Sequence, residues 1–176
     1  MVVNYLEMRA PPPARALPSR AEALSILRAR RPTVAFYRFL YDTVGDPWMW
    51  YERRQMDDAA LAAVIQHPRV AVYVLYLDGV PAGYVELDRR QAGDVELAYF
   101  GLMPEFIGRG LGRYFLEWAV AKAWEGEPQR VWVHTCNFDH PGALATYQRA
   151  GFQVYDQERQ IIDDPRRSAS GNPNHP

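Results

Sequence analysis

The sequence predicts an α/β domain of the α+β type, built on a single mixed, mostly antiparallel sheet of about six to seven strands with helices on both faces. Three observations carry this expectation. Strand-like and helix-like patterns follow one another in the order strand, helices, three strands, helix, strand, helix, strand. Two runs rich in Val and Tyr, "RVAVYVLYLDG" and "VPAGYVELDRR", meet at the turn dipeptide Asp78-Gly79, which marks an antiparallel hairpin. The segment "LGRYFLEWAVAKAWEG" is apolar around so much of its circumference that as a helix it must lie between a sheet and other structure.

Taken in order, "MVVNYLEM" reads as a first strand and the proline-rich "APPPARALP" as an extended connector. "SRAEALSILRARRPTVAFYRFLYDTV" reads as helix, with Ser19 as N-cap and Glu22 completing a capping box. Pro32 interrupts it, so two helices are expected, over about 20–30 and 33–43. "GDPWMWYERRQM" is a loop, and "DDAALAAVIQH" a short helix capped by Asp57 or Asp58. After the hairpin, "VELAYFGLM" is the fourth strand, and a glycine cluster leads into the helix that Gly126 stops. "QRVWVHTCN" is the fifth strand, "PGALATYQRAG" a helix with Pro141 near its first turn and Gly151 as C-cap, and "FQVYDQERQII" the last strand. Residues 1–162 therefore read as one domain with a helical region over 19–67, and the polar tail 163–176 is expected to be disordered.

Composition limits the function. A chain of 176 residues, 48% apolar, suits one domain with a substantial core. Its net charge of −1 gives no global attraction to nucleic acid or to an anionic membrane surface, so neither is expected as a partner. No eighteen apolar residues run together and no basic segment precedes an apolar one at the N-terminus, so a cytoplasmic location is expected. The single cysteine, Cys136, excludes an internal disulfide, and with four scattered histidines it argues against a metal site.

The glycine cluster calls for an anion. Gly108, Gly110 and Gly112 follow a strand and open a helix, whose first amides and positive dipole end favour phosphate. A P-loop would end in Gly-Lys-Ser/Thr, whereas Gly112 is followed by Arg113 and Tyr114. A dinucleotide fingerprint would place its third glycine where Arg113 stands.

What remains is "IGRGLG", and here the chain resembles the GNAT superfamily of acetyl-CoA-dependent N-acyltransferases. That family's motif Gln/Arg-x-x-Gly-x-Gly/Ala wraps the pyrophosphate of coenzyme A; Gly110 and Gly112 match its small positions, while Ile107 stands in the Gln/Arg place. A second segment, "ALATYQRAGF", is similar to the family's Ala-x-x-x-Tyr-x-x-x-Gly-Phe at Ala143, Tyr147, Gly151 and Phe152. The resemblance covers the chain from about Val70 to Ile162.

The resemblance implies a sheet splayed between the fourth and fifth strands, with acetyl-CoA as donor substrate in the cleft and no metal. Its amide cradle would run through Ile107, Gly108, Arg109, Gly110, Leu111, Gly112 and Arg113, with the two arginines also placed to pair with phosphate. Glu96 lies fourteen residues before Gly110, the offset of the general-base glutamate in histone-acetyltransferase members. By alternation it shares a strand face with Ala98 and Phe100; the competing role is that of a solvated strand glutamate like Glu86. Tyr147 matches the tyrosine read as general acid toward the coenzyme sulfur. The Phe100 amide takes the oxyanion, with Gly101 permitting a bulge, and the backbone near Leu102 pairs with the pantetheine arm. Asn137 or His140 carries the role of the family's asparagine, unless "FDHP" is an Asp–His pair or Asp139 or His140 merely caps a helix.

Residues assigned to the acceptor are Trp48, Trp50, Tyr99 and His134, since aromatic rings can cage an ammonium group or cover an apolar substrate. Cys136 lacks an oriented base and is a weak candidate for an acyl relay. The expected function is direct acetyl transfer from acetyl-CoA to a primary amine of a small molecule or peptide. The alternatives are an acyl-CoA-binding sensor without turnover, or transfer of another acyl group or to another acceptor. Homodimer pairing through the last strand is left open by the sequence.

Overall fold

The two Val/Tyr runs pair as expected. In the computed structural model, which describes residues 1–13 and 23–162, β3 (Val70–Leu77) and β4 (Val80–Asp88) form an antiparallel hairpin. Asp78 and Gly79 at its turn both have left-handed φ, 51° and 81°, the geometry that matches the twist of the flanking strands. The remaining strands are β1 (Val2–Met8), β2 (Leu24–Ala29), β5 (Asp94–Leu102), β6 (Arg130–Cys136) and β7 (Gln153–Arg159). They form one sheet in the order β2-β3-β4-β5-β6-β1-β7, antiparallel except between β5 and β6.

One element differs from expectation. Residues 24–29, read from the sequence as helix, are the edge strand β2, which pairs with β3 from Leu24↔Leu77 to Ala29↔Val72. Leu24 and Ile26 pack against the core, and that burial outweighs the helix propensity of the Ala, Leu and Arg residues around them. The expected cap, Ser19 with Glu22, and the tail 163–176 lie outside the described residues. The second expected helix holds as α1 (Val34–Gly45), where the Phe36 amide donates to Thr33 Oγ1 at 3.2 Å.

Helices cover both faces. α1 and α2 (Asp58–Ile65) enclose one core with Tyr37, Leu40, Leu61, Val72 and Tyr84. α3 (Leu111–Trp124) and α4 (Ala143–Ala150) enclose the other with Phe115, Leu116, Val85, Leu97 and Tyr147. No described helix is long and apolar enough to cross a membrane.

Two features of β5 create and shape a cleft. Its ladder with β6 covers only Asp94↔Arg130, Val95↔Val131 and Glu96↔Trp132; beyond this β5 stays with β4 to Leu102 while β6 stays with β1 to Cys136. The sheet therefore splits there, which is the expected splay between the fourth and fifth strands, renumbered because β2 adds one. β5 is also bulged at Ala98: Tyr99 pairs with Glu86, yet Leu97 pairs with Leu87. The extra residue reverses the alternation, so Glu96 and Tyr99 share the α1/α2 face while Phe100 turns to α3. This corrects the expected alignment of Glu96 with Phe100. It also moves the bulge away from Gly101, whose missing side chain serves a different purpose: a Cβ there would collide with Val44 Cγ1 of α1.

Candidate active site

A cavity of about 1010 Å³ occupies the wedge between β5 and β6. The glycine loop borders it. Gly108 and Gly110 have φ of 83° and 75°, and Gly110 is the N-cap of α3 with no side chain to cap it. Glycine adopts that backbone cheaply, and it opens a 14-residue helix whose N-terminus, the positive end of its dipole, borders the cavity. Ile107, Gly108, Gly110, Gly112 and Arg113 all line the cavity. Leu111 is buried in the core instead, and the Arg109 guanidinium lies 5.6 Å from the centre of the Phe106 ring. Arg113 is paired with Glu117 at 2.8 Å on an exposed surface, a bond weak enough to exchange for phosphate.

Phe100, Leu102 and Tyr147 line the same cavity. The Phe100 ring packs 5.4 Å from Phe115 and 6.3 Å from Tyr147. Burial raises the Tyr147 phenol, assisted by the charge of Asp139, so it stays protonated at neutral pH.

Across the cavity, the α1/α2 face presents a carboxylate–imidazole pair and a wall of rings. Glu96 Oε1 lies 3.3 Å from His134 Nδ1, because the short β5–β6 ladder sets the two strands side by side just before they part. Burial lowers the His134 pKa, but the hydrogen bond and charge of Glu96, with Glu52 and Asp139 further off, outweigh it, and the net direction is upward from 6.5. Trp48, Trp50 and Tyr99 line the cavity beside this pair. The Trp50 ring lies tilted against Tyr99 with centres 5.1 Å apart and donates its indole N–H to Asp139 at 3.2 Å. Its ring rests where a Cβ on Gly45 would be only 2.5 Å away.

The "FDHP" residues part company. Asp139 accepts from the Thr135 hydroxyl at 2.6 Å and the Cys136 amide at 2.8 Å. His140 Nδ1 accepts from the Gly142 amide at 3.0 Å, and Gly142 is the N-cap of α4. Asn137 faces away to β1, where its Oδ1 accepts from the Val2 amide at 2.6 Å. His140 lines the cavity and Asn137 is not among the lining residues. Burial and Asp139 push the Cys136 thiol up, the opposite of what a nucleophile needs.

Sequence reasoning passed over Glu52, which lines the cavity and accepts from the Tyr41 hydroxyl at 3.2 Å, although it stands inside the aromatic run "WMWYER". Glu86 is also not the solvated glutamate expected. It is fully buried, bonded by the Tyr37 hydroxyl and by Arg53 Nη2 at 2.6 Å.

The splayed sheet with a glycine-opened helix at its split has counterparts among known proteins. The Acetyltransferase (GNAT) family matches residues 26–152, and the chain belongs to that family. An uncharacterized N-acetyltransferase of Mycobacterium tuberculosis is 29% identical over 99 residues, 56% of this chain and 63% of the relative. The aligned part thus falls short of two thirds of that relative's length. Among solved structures, a GCN5-related N-acetyltransferase from Sphaerobacter thermophilus superposes with a TM-score of 0.62 at 18% identity, covering 89% of this chain and 49% of that one. An aminoglycoside N-acetyltransferase in complex with CoA gives a TM-score of 0.57 at 20% identity, covering 84% and 97%. At such identities the likeness is one of fold.

Proposed function

We propose that the protein transfers an acetyl group from acetyl-CoA directly to a primary amine of a small molecule. The observation that carries this reading is that the glycine-opened end of α3 and the Glu96–His134 pair stand in one cavity. One end suits a pyrophosphate, the other an amine that must lose a proton. The CoA held by the solved aminoglycoside N-acetyltransferase of this fold supports the choice of donor.

The acceptor side favours a cation. The carboxylates of Glu52, Glu96 and Asp139 line it together with Trp48, Trp50 and Tyr99, and the arginines that line the cavity among the described residues, Arg113 and Arg149, come from α3 and α4. An ammonium ion would be drawn to that surface and would surrender its proton to the Glu96–His134 pair, with Glu96 the base and His134 holding it in place. The freed amine attacks the thioester carbonyl, and the developing oxyanion is met by the Phe100 amide on the open edge of β5. As the tetrahedral intermediate collapses, the C–S bond breaks, the nitrogen gives up its second proton to water and the departing thiolate takes one from water. The products are the amide and free CoA thiol, and the pair returns the first proton to solvent. Tyr147, with its phenol raised above an ordinary 10.0, is a weaker acid than a thiol of ordinary pKa, about 8.5, so it serves as a hydrogen-bond donor to the sulfur more than as a proton source.

The test is the mass of candidate amines after incubation with acetyl-CoA and the protein. Gain of one acetyl group that depends on the protein supports transfer. CoA binding with no acetylated amine would favour the sensor reading instead.

A further inference from the structure

Beneath the acceptor wall lies a charged cluster that the proposed chemistry does not use. The Glu86 carboxylate, fully buried on β4, is bonded by the Tyr37 hydroxyl and by Arg53 Nη2 at 2.6 Å. The Arg53 side chain is only 13% exposed. Neither residue lines the cavity. A buried ion pair is a weak stabiliser, because desolvating both charges costs about as much as their attraction returns; apolar residues of similar volume do as well or better. Its presence calls for another reason.

Arg53 touches Tyr99 of the acceptor wall and Tyr41 behind it. Its guanidinium lies over the Tyr99 ring, 5.1 Å from the centre, and Tyr99 stands opposite Glu86 in the β4–β5 register. Its own amide donates to the Tyr41 hydroxyl at 3.3 Å, and that hydroxyl donates to Glu52 at 3.2 Å. The Tyr41 ring meets Tyr99 at 5.0 Å and Trp50 at 5.5 Å. Arg53, held by Glu86, is thus one of the ties between the loop that carries Trp48, Trp50 and Glu52 and the sheet, beside the Trp50–Asp139 and Tyr41–Glu52 bonds. The guanidinium fork is held at two nitrogens, Nη2 by Glu86 and Nη1 by Met56 Sδ at 3.7 Å, which fixes its direction as well as its distance.

We propose that Glu86 and Arg53 are positioning residues for acceptor binding: Glu86 orients Arg53, and Arg53 sets Tyr99 and the Trp48–Glu52 segment at the cavity. The proposal rests on the reading of that cavity as an amine site. It places the control of acceptor affinity in a buried pair that no acceptor touches, and leaves donor binding to the glycine loop, which the pair does not contact.

The informative variant is Glu86→Leu/Arg53→Met, which removes both charges together and so leaves no orphaned ion. It should keep or raise the melting temperature and bind CoA in calorimetry within twofold of wild type, while the KM for the acceptor rises at least tenfold and kcat changes less. The Trp50 indole N–H resonance, assigned with Trp50→Phe, should shift or broaden in the double variant, since its bond to Asp139 depends on the loop. An unchanged acceptor KM with an unmoved Trp50 resonance would overturn the proposal and leave the pair a packing feature. Should the double variant fail to fold, Arg53→Lys keeps the charge without the fork: the same acceptor-side loss is expected, and wild-type acceptor kinetics and Trp50 resonance would overturn the proposal. A wild-type protein that acetylates no amine is a different failure, that of the transferase reading, and the Trp50 resonance still decides whether the pair positions the loop.

Discussion

At the scale of single residues, two positions test the proposed donor binding and proton removal. Gly110 has a left-handed φ of 75° and begins the helix that would face pyrophosphate. Gly110→Glu adds backbone strain, bulk and a negative charge at that place, and calorimetry should show CoA affinity reduced by about 100-fold or more, a loss of roughly 2.7 kcal/mol. The second position is Glu96. In wild type Glu96 is an effective base only when His134 is neutral, because an imidazolium beside its carboxylate would hold that carboxylate's charge, so turnover should rise with pH through a midpoint above 6.5, the direction in which Glu96 moves the imidazole. Glu96→Gln removes the base and lowers kcat by about 10²-fold or more. It also removes the main group that raises His134, so the acid limb of the remaining activity should move to lower pH. A profile unchanged in both height and midpoint would remove Glu96 from the mechanism. Glu96 was legible in the sequence from its distance to the glycines. Its partner was not, because His134 meets it only through the parallel β5–β6 register, a contact between segments far apart in the chain.

At the scale of elements, most boundaries follow from local chemistry. The Asp78-Gly79 turn, the Asp57 cap, whose Oδ1 accepts from the Ala60 amide at 2.8 Å, and the left-handed Gly151 that ends α4 act where the sequence places them. Thr33, a cap not singled out from the sequence, begins α1, the helix that supplies Tyr37, Tyr41 and Val44 to the core below the site. Thr33→Ala should cost about 1 kcal/mol, read as a lower midpoint in urea with an unchanged slope. Two features escape such reading. β2 has the residues of a helix and becomes a strand because the edge of β3 offers Leu24 and Ile26 a buried place; the Leu-x-Ile alternation was its one faint signal. The Ala98 bulge has no sequence marker at all, since Gly101, two positions beyond Tyr99, is the residue that looked suited to it. Yet the bulge decides the site, for without it Tyr99 would face α3 and the acceptor wall would lose its central ring.

At the scale of the whole molecule, two cores lie on opposite faces of one sheet, and the proposed transfer would use one for each substrate. The α3/α4 side carries the glycine loop, Phe100 and Tyr147, and its motifs are contiguous in sequence, which is why the family resemblance showed there. The α1/α2 side carries the acceptor wall and its Glu86–Arg53 anchor. It is assembled from β4, β5, β6 and the loop after α1, and no local pattern announces it. Membership of the GNAT family fits this division, with a shared donor motif and an acceptor side built from tertiary contacts. Acetyl transfer to an amine is measured most directly as free-thiol release from acetyl-CoA by the wild-type protein, with and without a panel of cationic and neutral primary amines. Release should depend on the amine and be strongest for cationic ones, which the Glu52, Glu96 and Asp139 carboxylates attract. Thiol release that no amine accelerates, from a protein that binds CoA tightly, would contradict the proposed transfer.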